Sequence, residues 1–144
     1  MPTVYRSAVV GGDAARVWAA LRDFNGLPGW HPGFTASVIE GAGHADAVGA
    51  LRRITLTSGG AIRERLLALS DLERSMTYEI VESPLPITGY VATLKVTPVT
   101  ATGQAFVEWR SSFDCAPDQV QPMEDLIAGV YMAGLDSLSA RFAG

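Results

Sequence analysis

Between Phe34 and Phe113 the chain runs as short stretches of alternating apolar and polar residues, each closed by a Gly-, Pro- or Ser-containing turn. From Gln121 to Phe142 the rhythm changes. Met123, Leu126, Ile127, Val130, Tyr131, Gly134, Leu135, Leu138 and Phe142 recur at steps of three and four, which places them on one side of an α-helix. At about 1.5 Å per residue this helix is roughly 33 Å long. The alternating stretches predict strands at Phe34–Glu40, Gly49–Thr57, Ile62–Leu69, Ser75–Glu82, Thr88–Thr97 and Gln104–Asp114, with a first strand at Thr3–Val10. Asp13 is a good N-cap for a short amphipathic helix carrying Ala14, Val17, Trp18, Leu21 and Phe24. Asn25 to Gly29 stops that helix, and Trp30-His31-Pro32 forms one more helical turn or a bend. The long helix starts either with Asp118 as an early cap or beside Pro122, which belongs in a first turn. Strands joined by short turns pair antiparallel, so one sheet and one long helix must bury each other.

Alternation assigns the faces. Arg63 and Arg65 point to water, so Ile62, Glu64 and Leu66 point in. By the same reasoning Met76, Tyr78 and Ile80, then Tyr90, Ala92, Leu94 and Val96, then Val107, Trp109, Ser111 and Phe113 face inward. Adjacent Arg52 and Arg53 leave the third strand ambiguous; grouping Arg52 with Ile54 and Leu56 gives the more apolar face. The result is an apolar concavity holding Arg52, Glu64, Tyr78, Tyr90 and the Trp109 indole. A lone charge in a dry core is very costly, so Glu64 needs a partner, a wet cavity or a raised pKa. Arg52 on the next strand is the obvious partner. Two readings stand: a buried pair that only fixes the sheet, or polar groups in a pocket that orient a mostly apolar ligand. Small residues at Ala128, Gly129, Ala133 and Gly134 suit either a hollow or close helix packing.

Composition narrows the field. A chain of 144 residues that is 48% hydrophobic fits one globular domain over 1–144. A net charge of -4 with no basic run argues against nucleic acid as a partner. The single cysteine, Cys115, excludes an intrachain disulfide framework and suits a reducing cytoplasm. No signal peptide or membrane-spanning apolar run is read. Two histidines and one cysteine make no metal cluster, and Gly11-Gly12-Asp13 lacks the lysine and spacing of a phosphate loop, so no metal or cofactor is expected.

The order of Val17-Trp18, Trp30, Val48-Gly49-Ala50-Leu51-Arg52, Glu64-Arg65-Leu66, Asp71 and Gly89-Tyr90 resembles the START-like, Bet v 1-like superfamily (SRPBCC), including its polyketide cyclase/dehydratase group. The resemblance covers nearly the whole chain. It implies an α+β helix-grip fold: a curved seven-stranded antiparallel sheet around the long C-terminal helix, two short helices after the first strand, and a large cavity between. Val48–Arg52, Ser58-Gly59, Glu64–Leu66 and Tyr90 are also similar to the plant abscisic-acid receptor branch. That similarity implies a gate loop at Ser58–Gly60 and a facing latch at Pro84–Pro86. It puts His31 where that branch has a carboxylate-binding lysine. The gate here lacks the Leu-Pro after its glycine and the latch lacks its His-Arg pair, so a lidded hydrophobic pocket is implied and hormone binding is not.

The candidate ligand contacts are therefore His31, Arg52, Glu64, Leu66, Tyr78, Ile80, Tyr90, Leu94, Trp109, Leu126 and Val130. Glu82 is the sole candidate for a second inward carboxylate, and it lies at a strand end. Three functions are expected, in this order. The first is a non-catalytic binder or carrier of a small hydrophobic molecule such as a lipid, polyketide or isoprenoid, acting as a monomer or homodimer. The second is a cyclase or dehydratase in which Glu64 is acid or base, Arg52 tunes its charge and His31 or Tyr90 relays a proton. The third is a chaperone-activator-like interaction domain that would use the outer sheet face and need no cavity.

Overall fold

The computed structural model describes residues 1–143. Strand β1 (Thr3–Val10) leads through helix α1 (Ala14–Leu21) and a 3-10 turn (Leu27–Gly29) to β2 (Phe34–Ile39). Then come β3 (Leu51–Leu56), β4 (Ala61–Ser70), β5 (Ser75–Glu82), β6 (Thr88–Val99) and β7 (Gln104–Asp114). A second 3-10 turn (Pro117–Gln119) runs into α2 (Val120–Arg141). The seven strands form one antiparallel sheet in the order β1-β7-β6-β5-β4-β3-β2. The chain thus crosses from one sheet edge to the other through α1 and the first 3-10 turn. This is the helix-grip arrangement that the residue order implied.

The alternation is legible in the burial. Ile62, Glu64 and Leu66 on β4, Tyr90, Ala92, Leu94 and Val96 on β6, and Val107, Trp109, Ser111 and Phe113 on β7 are all buried. Arg52 is inside, beside Ile54. Register shifts interrupt β2–β3, β4–β5 and β6–β7. Extra residues of this kind bend strands and increase twist, and they curl the sheet toward α2.

Three local readings change. The helical turn sits at Leu27–Gly29, earlier than Trp30–Pro32, because Pro28 suits a first helical position and the Trp30 and His31 amides both donate to the Leu27 carbonyl. The start of α2 combines the two alternatives: Asp118 lies in the preceding 3-10 turn and Pro122 in the first helical turn. Strand β3 is shorter than its apolar stretch because Gly49 has a left-handed φ of 95°.

Helix α1 starts where Asp13 accepts a hydrogen bond from the Arg16 amide. It is tied to the β4–β5 turn by Asp71, which accepts from the Trp18 indole at 2.8 Å and from Arg22 at 2.8 Å. Helix α2 is held from its middle. His31, 2% exposed, donates from Nε2 to the Val130 carbonyl at 2.7 Å, and its Nδ1 accepts the Gly33 amide at 2.9 Å. That pairing requires the neutral Nε2–H tautomer. Gly134 lies one turn on, and a Cβ there would meet His31 Cδ2 at 2.7 Å, Trp109 Cζ3 at 2.9 Å and Trp30 Cζ3 at 3.0 Å. Of the small helix residues, Gly134 therefore serves close packing, whereas Gly129 has open space where its side chain would be.

Both contacts on α2 can be tested. Gly134→Ala gains about 1 kcal/mol of helix propensity but overpacks three rings at about 1–3 kcal/mol. The expected result is a net loss seen as a lower urea midpoint at unchanged m-value; an unchanged or raised midpoint refutes the packing role. Burial holds the His31 pKa below its ordinary 6.5, against a smaller opposing effect of the Val130 bond. The unfolded chain then binds a proton that the folded chain refuses, so this residue's contribution to stability falls as pH drops below about 6.5. His31→Phe should be less stable than the parent near pH 7.5, by about 1–3 kcal/mol. The gap should narrow toward pH 5 in urea titrations; a constant gap refutes the neutral, buried imidazole.

Candidate functional site

Sheet and helix do not close on one another. Between them lies a cavity of about 630 Å³. The sheet supplies Arg52, Ile54 and Leu56 from β3, Ile62 and Glu64 from β4, Tyr78 and Ile80 from β5, Tyr90 from β6 and Trp109 from β7. Helix α2 supplies Leu126, Ile127, Val130, Tyr131 and Ala133. The rim comes from Pro32–Phe34, Thr57-Ser58 of the β3–β4 loop, and Leu85 and Ile87 of the β5–β6 loop. These are the two loops that the resemblance assigns as gate and latch, and both reach the cavity. Leu126 is 42% exposed, a large apolar side chain left half in water at this rim.

The polar groups gather on the inner wall. Arg52 and Glu64 face one another across β3–β4 and are 4% and 5% exposed. Arg52 Nε and Nη2 both donate to Glu64 Oε1, at 3.0 and 2.7 Å. Arg52 Nη1 donates to the Phe24 carbonyl at 2.6 Å. The guanidinium lies 4.0 Å from the Phe24 ring centroid and 5.1 Å from that of Tyr78, in cation–π range of both. The arginine is thus held on all sides, while Glu64 has one oxygen engaged and its Oε2 free in a residue that lines the cavity. Burial pushes the Glu64 carboxyl above the usual carboxylate range; the Arg52 charge and hydrogen bonds pull it partly back.

Beside this pair, the Trp109 indole donates to the Tyr78 hydroxyl at 3.0 Å, and the Tyr90 and Tyr131 hydroxyls are hydrogen-bonded to each other. Tyr131 stacks on Trp109 with centroids 4.3 Å apart. Burial raises all three phenol pKa values well above the ordinary range, so the tyrosines are neutral donors and acceptors. Ser111 Oγ is buried without a partner among the described residues.

Of the residues singled out in the sequence, Arg52, Glu64, Tyr78, Ile80, Tyr90, Trp109, Leu126 and Val130 line this cavity. Three do not. Leu66 and Leu94 are 0% and 2% exposed and belong to the hydrophobic core. Facing inward is necessary for reaching the cavity, not sufficient. His31 stands behind the wall, its two ring nitrogens spent on Val130 and Gly33. It can neither anchor a carboxylate nor relay a proton from there. Glu82 is exposed and lies 3.8 Å from Arg63 on the outer face, so it is no inward mate for Glu64. The sequence places Tyr131 only in the helix stripe. A tyrosine in an otherwise apolar stripe is the available signal for more, since its hydroxyl needs a buried partner. Among the described residues no cluster of His, Cys, Asp or Glu could hold a metal ion, and no helix is long and apolar enough to cross a membrane.

Comparison with known proteins is consistent along the chain. The family described as polyketide cyclase / dehydrase and lipid transport matches residues 1–143. The solved structure of XoxI from Bacillus cereus is 30% identical, covering 99% of this chain and 96% of that one, with a TM-score of 0.89. A protein from Thermobifida fusca is 33% identical over 99% of this chain and 93% of its own, with a TM-score of 0.89. The di-domain ARO/CYC BexL from the BE-7585A biosynthetic pathway shares the fold at 17% identity, over 97% of this chain and 46% of that one, with a TM-score of 0.82. A search of curated proteins found no match. With sheet order, helix placement and the family match in agreement, the chain belongs to the polyketide cyclase / dehydrase and lipid transport family.

Proposed function

We propose that this protein binds a small, mostly apolar molecule in the cavity between the sheet and α2. One observation carries the reading: about 630 Å³ of space is lined mostly by aliphatic and aromatic side chains, with Arg52, Glu64 and the tyrosine hydroxyls in its wall and Thr57 and Ser58 at its rim. A cavity of that size lies within the roughly 300–1,000 Å³ of small-molecule sites. Lipids, polyketides and isoprenoids fit its character, and the family description is in keeping with them. The gate-and-latch reading extends the proposal, with the β3–β4 and β5–β6 loops moving to admit the guest. An interaction domain that needs no cavity would have its helix flat on the sheet, and the hollow weighs against that alternative.

A specific observation supports catalysis as the second reading. Glu64 combines a free oxygen in the cavity wall with a raised pKa, which are the requirements for a carboxyl that exchanges a proton with a bound carbonyl compound. The neutral Tyr90 is within the same wall. Arg52 would set the charge of Glu64 without touching the guest.

Two measurements test these readings. A ligand present at about 100 times its Kd stabilises the fold by about 2.7 kcal/mol and raises Tm by several degrees. A library of lipids, polyketides and isoprenoids should contain such molecules. Ile80→Trp, which fills the wall beside Glu64, should abolish their effect while leaving the unliganded Tm within a few degrees. A broad library with no stabilising member sinks the binding proposal. Glu64→Gln keeps an acceptor for Arg52 but loses the titrating group. Loss of turnover with binding retained marks an enzyme; loss of binding alone marks a carrier.

A further inference from the structure

If the cavity binds a guest as proposed, and the selectivity rests on that reading, its wall narrows the class of molecule it takes. Among the described residues that line the cavity, Arg52 and Glu64 are the charged ones, and they offset each other. Each guanidinium nitrogen of Arg52 already donates within the protein, to Glu64 or to the Phe24 carbonyl. The Phe24 and Tyr78 rings lie over it. Three of its five N–H hydrogens are thus engaged, and these bonds hold the guanidinium against Glu64 and Phe24 rather than turned toward an incoming anion. His31, the other basic group nearby, is locked behind the wall by the Val130 carbonyl. A carboxylate entering this space would lose its water and find only a guanidinium already paired with Glu64.

The hydrogen-bonding capacity left over has a definite form. Glu64 Oε2 has no donor. The Tyr78 oxygen accepts from Trp109, which leaves its own hydrogen unused. Tyr90 and Tyr131 share one hydrogen bond, so one of their two hydroxyl hydrogens is also unused. A guest hydroxyl matches this set with a single group, donating to Glu64 and accepting from a tyrosine. We infer that the cavity selects uncharged apolar molecules carrying an alcohol or phenol at their inner end, and discriminates against carboxylates of the same skeleton.

Naphthalene, naphthol and naphthoate differ at that one group. Their affinities for the full chain can be compared near neutral pH by NMR chemical-shift titration, which also locates the bound ring. Naphthol is expected to bind at least about tenfold more tightly than either of the others. In Glu64→Gln the advantage over naphthoate should shrink to about threefold or less. Naphthoate binding as tightly as naphthol, or naphthol no tighter than naphthalene, overturns the inference, yet leaves cavity binding standing because the shifts still map to its wall. An unaltered preference in a folded Glu64→Gln also overturns it. If none of the three binds, the inference falls, and the reading beneath it is decided by the broad library. Should the variant not fold, the ranking in the parent protein decides.

Discussion

A straight helix cannot lie flush along a bent sheet, and the rest of this structure depends on where the two are allowed to touch. Contact is close at Gly134, where the absence of a side chain lets the backbone of α2 approach His31, Trp30 and Trp109. His31 secures that approach with a hydrogen bond to the Val130 carbonyl. Before that point, Leu126, Ile127 and Val130 of α2 line the cavity. The hollow thus lies between a curved sheet and a helix that is held close at Gly134 and again at its C-terminal end, where a Cβ on Gly11 would meet the Phe142 carbonyl oxygen at 2.7 Å. It does not come from a general shortage of bulky residues, since the same cavity is walled by Trp109, Tyr131 and Phe34.

The polar wall is expensive and therefore informative. A buried ion pair stabilises a fold little compared with apolar residues of equal volume, but breaking it by removing one partner costs about 3–5 kcal/mol. Here Arg52 is satisfied by Glu64, a backbone carbonyl and two aromatic faces, while Glu64 is not fully satisfied by Arg52. That asymmetry makes the arginine a support and leaves the carboxyl as the group presented to the cavity. The tyrosines beside it are kept neutral by the same burial that raises the carboxyl. The chemistry on offer is that of neutral hydrogen bonds around a single acidic group.

Family membership and geometry constrain function at different levels. The family match covers nearly the whole chain, and the sheet order, the helix and the cavity are read from the structure. Folds of this kind host unrelated activities, so what enters the cavity is argued from its wall. The position read by resemblance as an anion anchor illustrates the difference. At His31 the chain has a residue that could in principle meet a carboxylate, and the fold commits both of its nitrogens elsewhere.

Much of the architecture was legible in the residues. Alternation located every strand and the buried faces of the last four, because a period of two sorts side chains to opposite sides of a strand regardless of its neighbours; the third strand needed the more apolar grouping to put Arg52 inside beside Glu64. Steps of three and four located α2, and Asp13 located the start of α1. What these periodicities determine is orientation along one element. They could not separate Leu66 and Leu94, which end in the hydrophobic core, from Tyr78 and Tyr90, which reach the cavity, since all four point the same way. Nor could they show that His31 would be consumed by a carbonyl 99 residues away, or that Tyr131 would join the polar wall. Those outcomes were decided by the distance between layers, which depends on sheet curvature and on the contact at Gly134, and distance between layers is a property of the packed tertiary structure.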